Sequence, residues 1–146
     1  MPKRLIQDIL AQRNLISADK AMTVRTACQL MAENKIGALL VLEDKQIVGI
    51  FTERDALNKI LAASLDPDTT VLSQVMVGEP QTIRADKPLA YALHMMAEGG
   101  FRHVPVVDGN GLPVGMVSAR DALGQDIVEL ERDMKRLEAL EGSIGY

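Results

Sequence analysis

The spacing of apolar positions changes several times along the chain, and each change marks an element. Leu5, Ile6, Ile9 and Leu10 recur at helical spacing, which predicts a short amphipathic helix within residues 3–13, ended by Asn14. Residues 15–18 read as a brief extended segment. Thr23 is placed to cap a helix over about residues 24–34, with Val24, Ala27, Cys28, Leu30 and Met31 near its buried side. Gly37 closes the connection, and Ala38 to Leu42 is a continuous apolar run short enough for a buried strand. Glu43-Asp44-Lys45 is a turn, Gln46 to Phe51 returns as a strand, and Thr52 starts a helix to about Ser64. Leu65 to Thr69 reads as a linker.

The same order then recurs. Gln81 to Arg84 is extended, and Pro88 sits in the first turn of a helix, where its missing N–H costs nothing. That helix runs to Glu98 and is stopped by Gly99-Gly100. Val104 to Val107 and Pro113 to Val117 are strands around the turn Asp108-Gly109-Asn110-Gly111, and Ser118 opens the final helix.

The recurrence extends to the residues themselves. The ten from Val48 to Leu57 return 66 positions later, from Val114 to Leu123, with six identities. Ala27 to Glu43 matches Ala92 to Asp108 at an offset of 65, so one residue is inserted at the second hairpin turn. Two copies are too few for a solenoid and predict two half-domains packed against each other, with paired sites at the seam. Each copy reads strand–helix–strand–strand–helix, an α/β (α+β) unit with helices against a small sheet. The divisions expected are an N-terminal helix (1–15), a first repeat (16–64), a linker (65–77), a second repeat (78–124) and a C-terminal helical extension (125–146).

Composition narrows the function more than the fold. Aromatic residues are 3% of the 146, without Trp, so the core is aliphatic and no platform for stacking single-stranded bases is expected. The net charge of −4 gives no general attraction to nucleic acid or anionic lipid. No apolar run approaches a membrane span and no leader pattern is visible, so a cytoplasmic location is expected. Cys28 is the one cysteine and reads as a core thiol, so no disulfide can form within the chain. No metal-ligand spacing occurs. The two histidines, His94 and His103, lie in no catalytic pattern, so the chain reads as non-enzymatic.

The chemistry lies in the repeated segment. Thr52-x-x-Asp55 and Ser118-x-x-Asp121 have the spacing of a helix capping box. Gly49 and Gly115 fall inside predicted strands, where Gly often marks close approach of a ligand or of backbone. Arg54 and Arg120 stand near the positive end of a helix, an unfavourable place for a cation unless an anion meets it. A cap and an anion site are compatible, because a helix N-terminus offers free N–H groups to phosphate.

This Gly-apolar-x-Thr/Ser-x-x-Asp pattern, in duplicate and each time at the end of a strand, resembles the CBS domain, named after cystathionine β-synthase. Val75-Met76 and the run Phe101 to Asp108 add to the likeness, which covers about residues 16–124. The resemblance implies a tandem pair that binds adenosine-containing ligands in the cleft between repeats and regulates a separate protein partner. It assigns the ribose hydroxyls to Asp55 and Asp121; by their own chemistry Thr52 and Ser118 can donate a hydroxyl to phosphate, and Arg54 and Arg120 can add charge-assisted hydrogen bonds. Adenine would lie near Gly37, Ala38 and Leu39 and near His103, Val104 and Pro105, bordered by Ser17, Ala18, Thr82 and Ile83, with Arg102 close to phosphate. Leu40 stands where Pro105 stands, a departure between the copies. AMP leads the ligands so implied, with ADP, ATP, NAD(H) and S-adenosylmethionine open. A ligand-independent interaction module remains the other reading.

The resemblance also implies a homodimer. The final helix carries Ile127, Leu130, Met134 and Leu137 spaced three, four and three apart, the start of a heptad seam, with Glu131 and Lys135 at pairing distance. That face either lies on its own domain or aids dimerisation.

Overall fold

A computed structural model describes residues 4–142, except for the side chains of 125–129, so Ile127 of the predicted seam lies outside the described residues. The chain opens on α1 (Ile6–Leu10) and β1 (Ser17–Asp19), followed by α2 (Val24–Asn34), β2 (Ala38–Glu43), β3 (Gln46–Thr52) and α3 (Glu53–Asp55). A π-helical stretch (Ala56–Leu61) continues α3. Then come α4 (Leu72–Val75), β4 (Val77–Gly78), β5 (Ile83–Arg84), α5 (Leu89–Gly99), β6 (His103–Val107), β7 (Pro113–Ser118) and α6 (Ala119–Leu140).

The strands form two sheets, one per repeat, with orders β1-β2-β3-β4 and β5-β6-β7. In each, a parallel neighbour precedes an antiparallel hairpin. Even the irregularities correspond. The register slips between Val41 and Leu42 in one hairpin and between Val106 and Val107 in the other, bulging out Val48 and Val114. The two sheets thus repeat one design in a mixed α/β fold.

The leading segments are exchanged between the repeats. Residues 4–10 open the first copy in sequence but dock on the second sheet. Ile6 N–H donates to Lys87 C=O (3.0 Å), Gln7 N–H to Ala85 C=O (2.9 Å), and Leu89 N–H to Arg4 C=O (2.8 Å). Ile6 is fully buried in the second core with Leu89, Ala92, Met96, Val104, Val106 and Val117. The segment leading the second copy docks on the first: Leu72 and Val75 enter the core of Val24, Ala27, Leu39, Val41, Phe51 and Ile60. The bridges Leu5–Pro88 and Thr23–Val71 are counterparts in this exchange.

Several elements differ from the sequence expectation. α1 is only five residues long, because Leu5 is extended and pairs with Pro88 instead of joining the helix. α2 stops one turn before Gly37: Lys35 takes a left-handed conformation (φ 54°), and Ile36 N–H reaches Met31 C=O (3.0 Å). The stretch read as linker contains α4 and runs into β4 at its last residue, and β4 completes the first sheet against β3. The helix expected from Thr52 to Ser64 widens into a π-helix and ends at Leu61, with Leu65 N–H bonded to Ile60 C=O (3.0 Å). Cys28 is half-buried at the edge of the first core, where burial pushes its thiol pKa up.

Candidate functional site

Both Thr/Ser-x-x-Asp segments fold as helix caps. Thr52 N–H donates to Asp55 Oδ2 (3.0 Å) and Asp55 N–H donates to Thr52 Oγ1 (3.1 Å). In the second copy Ser118 N–H donates to Asp121 Oδ2 (2.7 Å). The extended Thr52 and Ser118 end a strand as a helix begins, so each carboxylate folds back beneath its first turn. Just above each cap the halves correspond again: Glu53 N–H donates to Gly37 C=O and Ala119 N–H to Arg102 C=O, both at 2.9 Å.

The two carboxylates then part company. Asp55 is buried and pairs with Lys59 from its own helix (Nζ to Oδ1 3.2 Å), while that ammonium also donates to Val75 C=O (2.7 Å). The residue aligned with Lys59 is the neutral Gln125. Asp121 instead takes its cation from the other end of the chain. Arg13 Nη1 donates to Oδ2 (3.2 Å), Arg13 Nη2 makes a second contact with Oδ1, and Arg4 Nη1 donates to the Asp121 carbonyl (2.9 Å). Burial opposes ionisation of Asp121. The Arg13 hydrogen bond, the Ser118 N–H and the charges of Arg13 and Arg4 outweigh it and hold the carboxyl below its ordinary value.

Asp121 stands in a cleft of about 1080 Å³ between the halves. One wall is the end of α2 and the start of β2, with Met31, Lys35, Ile36, Gly37, Ala38 and Leu40. The facing wall is β6, β7 and the start of α6, with Arg102, His103, Gly115, Ser118, Arg120 and Asp121. Residues 13–16 and Arg4 close one side. Ala38 and Leu40 reach the cleft because β2 is buried on both faces, its alternate residues Leu39 and Val41 filling the first core. Five cations (Arg4, Arg13, Lys35, Arg102, Arg120) and two carboxylates (Glu53, Asp121) line this cleft in a chain of net charge −4. His103 is part-buried at the seam; burial pushes its imidazole pKa down, against the smaller upward pulls of Glu53 and Asp121.

Of the expected site residues, the cleft brings together Gly37, Ala38, Arg102, His103, Gly115, Ser118, Arg120 and Asp121. Ala18, Leu39, Ile83, Val104 and Pro105 are buried, the first four within the two cores. Thr52, Arg54 and Asp55 gather around the first cap, Ser17 lies exposed on β1, and Thr82 precedes β5. Both strand glycines stand at a close approach of a side chain, and Gly115 also lines the cleft. A β-carbon on Gly49 would lie 2.9 Å from Met76 Cγ, and one on Gly115 would lie 3.1 Å from Leu10 Cδ1. Each glycine makes room for a side chain of the exchanged segment. Sequence reasoning missed Arg4 and Arg13, whose contacts span 117 and 108 residues. The helical spacing of the arm gives its shape but not its destination.

Among the described residues, no helix is long and apolar enough to cross a membrane, and no group of three His, Cys, Asp or Glu is placed to hold a metal ion. Comparison with known proteins agrees with the duplication. The family model of the CBS domain matches twice, at residues 6–62 and 72–127. A CBS domain-containing protein of Arabidopsis thaliana is 30% identical over 130 residues, covering 88% of this chain and 24% of that protein, so the chain spans about a quarter of that relative. A putative signal-transduction protein with CBS domains from Burkholderia ambifaria superposes with a TM-score of 0.78 at 30% identity, covering 85% of this chain and 94% of that one. A CBS domain protein from Pyrobaculum aerophilum, determined in complex with AMP, superposes with a TM-score of 0.77 at 28% identity, covering 87% and 96%. With two matches that together span most of its length, the chain belongs to the CBS-domain family and carries its two copies as a pair.

Proposed function

We propose that the inter-repeat cleft binds an adenosine-containing nucleotide, AMP foremost, and that its occupancy regulates a separate protein partner without catalysis by this chain. The observation that carries this reading is the setting of Asp121: an ionised carboxylate next to the Ser118 cap, contacted by Arg13 and Arg4, at the wall of a large cleft that five cations line. A carboxylate accepts from both vicinal hydroxyls of a ribose, the cations suit its phosphate, and the aliphatic Ile36, Ala38 and Leu40 suit adenine. The Pyrobaculum relative determined with AMP supports the same ligand class. Arg13 now occupies the carboxylate. When ribose takes Asp121, the released guanidinium remains in the cleft lining, free to meet the phosphate.

The second cap is the principal site in this reading. Asp55 is buried against Lys59 and is not among the residues that line the cleft, whereas Asp121 is. A homodimer belongs to the same proposal. Its support is the apolar groove of about 510 Å³ between α2 and the π-helix, flanked by exposed Leu57 and Leu61.

Titration calorimetry of nucleotide-stripped protein with AMP, ADP, ATP, NAD, NADH and S-adenosylmethionine tests the reading. Binding of one ligand, weakened at least about tenfold in Asp121→Ala, is the expected result, since loss of charge-assisted hydrogen bonds costs on the order of 1.5–3 kcal/mol. Silence across the panel from folded protein would replace it with the ligand-independent interaction module.

A further inference from the structure

The last three turns of α6 present an apolar stripe to solvent. Leu130, Met134, Leu137 and Leu140 are 61, 60, 56 and 83% exposed, and every residue from 130 to 142 is exposed. The face does not lie on its own domain. Nor is its flank suited to pairing with itself. With Leu130 and Leu137 at heptad position d and Met134 at a, the seam is bordered by Glu131 and Glu138 at e and by Asp133 and Leu140 at g. The cations Arg132, Lys135 and Arg136 fall at f, b and c, away from the seam. The ion pair on this stretch is Arg136–Asp133, long at 4.0 Å and exposed, in place of the expected Glu131–Lys135 pair.

A parallel pair of copies would set Asp133 of one beside Glu138 of the other. An antiparallel pair centred on Met134 would set Glu131 beside Glu138 twice. Both arrangements bring like charges together along a seam barely two heptads long, which is a device against self-association. We infer that this stripe is a docking surface for a helix of a different protein, one with its own apolar seam flanked by Lys or Arg. The acidic flank supplies the charge complementarity that sets partner choice at e and g positions. The inference does not depend on the nucleotide reading, since it rests on the helix beyond the cleft.

The test uses the full chain and two synthetic 21-residue helical peptides, both with Leu at a and d, one with Lys and one with Glu at e and g. Fluorescence anisotropy should show saturable binding of the Lys peptide, at least tenfold tighter than the Glu peptide and weakened by salt. The variant Leu130→Ser/Met134→Ser/Leu137→Ser keeps every charge and should lose that binding while keeping the oligomeric state of the parent in sedimentation. Equal binding of both peptides, binding of neither, or retention of the Lys peptide by the triple variant overturns the inference. So does a fall in oligomeric state in that variant, which would mark the stripe as a contact between copies.

Discussion

At the scale of single residues, one motif written twice does two jobs. Asp55 closes a capping box and, itself buried, pairs with the part-exposed Lys59, so Asp55→Ala should act on stability. Loss of a cap and a partly buried ion pair predicts a cost of about 1–3 kcal/mol by urea denaturation. Asp121→Ala also weakens a cap, but its distinguishing loss should be in ligand affinity. Arg13 gives a sharper test, because it competes with ribose for Asp121 and then serves phosphate. Arg13→Ala should tighten adenosine binding and weaken the preference for AMP over adenosine, a ratio that calorimetry reads directly and that a merely structural arginine would leave unchanged.

His103 adds a pH dependence. Burial lowers its folded-state pKa below the unfolded value, so the unfolded chain binds the extra proton first. This group alone therefore makes the unliganded protein less stable as pH falls through about 6.5, the ordinary imidazole value. A bound phosphate favours the imidazolium and reverses the penalty. AMP affinity should then rise from pH 8 to pH 6.5, and His103→Gln should flatten the profile. A profile unchanged in His103→Gln would remove the histidine from the site.

At the scale of elements, the strand glycines show what the sequence could and could not announce. Their place in strands signalled a close approach, and the approach is real. What approaches is Met76 on Gly49 and Leu10 on Gly115, side chains that the exchange brings from the opposite repeat's leader. Gly49→Ala should destabilise by roughly 1–3 kcal/mol through overpacking. Met76→Ala should relieve most of that, so a double-mutant cycle should give a coupling of about 1 kcal/mol or more; additivity would mean that the strand adjusts by itself. The helices α2 and α5, both hairpins and both caps were legible because they obey local rules of periodicity, turn chemistry and capping. The exchange, α4, β4 and the π-helix were not, since each is fixed by contacts that local spacing does not record. The same reason divides the site. The Ser118 and Asp121 side was readable from a motif, whereas Arg4 and Arg13 required the arm's destination.

At the scale of the molecule, the exchange makes the arm a structural part of the second repeat and a wall of the cleft at once. Ile6 has no exposed surface and anchors the arm in the second core. Ile6→Ala should cost about 2–5 kcal/mol, the usual range for emptying such a site. Arg4 and Arg13 sit on either side of that anchor, and their charges survive the substitution. The folded fraction of Ile6→Ala should therefore still bind AMP, and saturation at 100 times the dissociation constant should return about 2.7 kcal/mol of stability to variant and parent alike. Removing residues 1–13 takes away the anchor and both arginines. That truncation should lose stability and the ligand-dependent increment together, read as the shift in thermal midpoint with and without AMP. Equal ligand shifts in the truncated and parent proteins would mean that the arm braces the second core without contributing to the cleft, and that Asp121 alone carries the site.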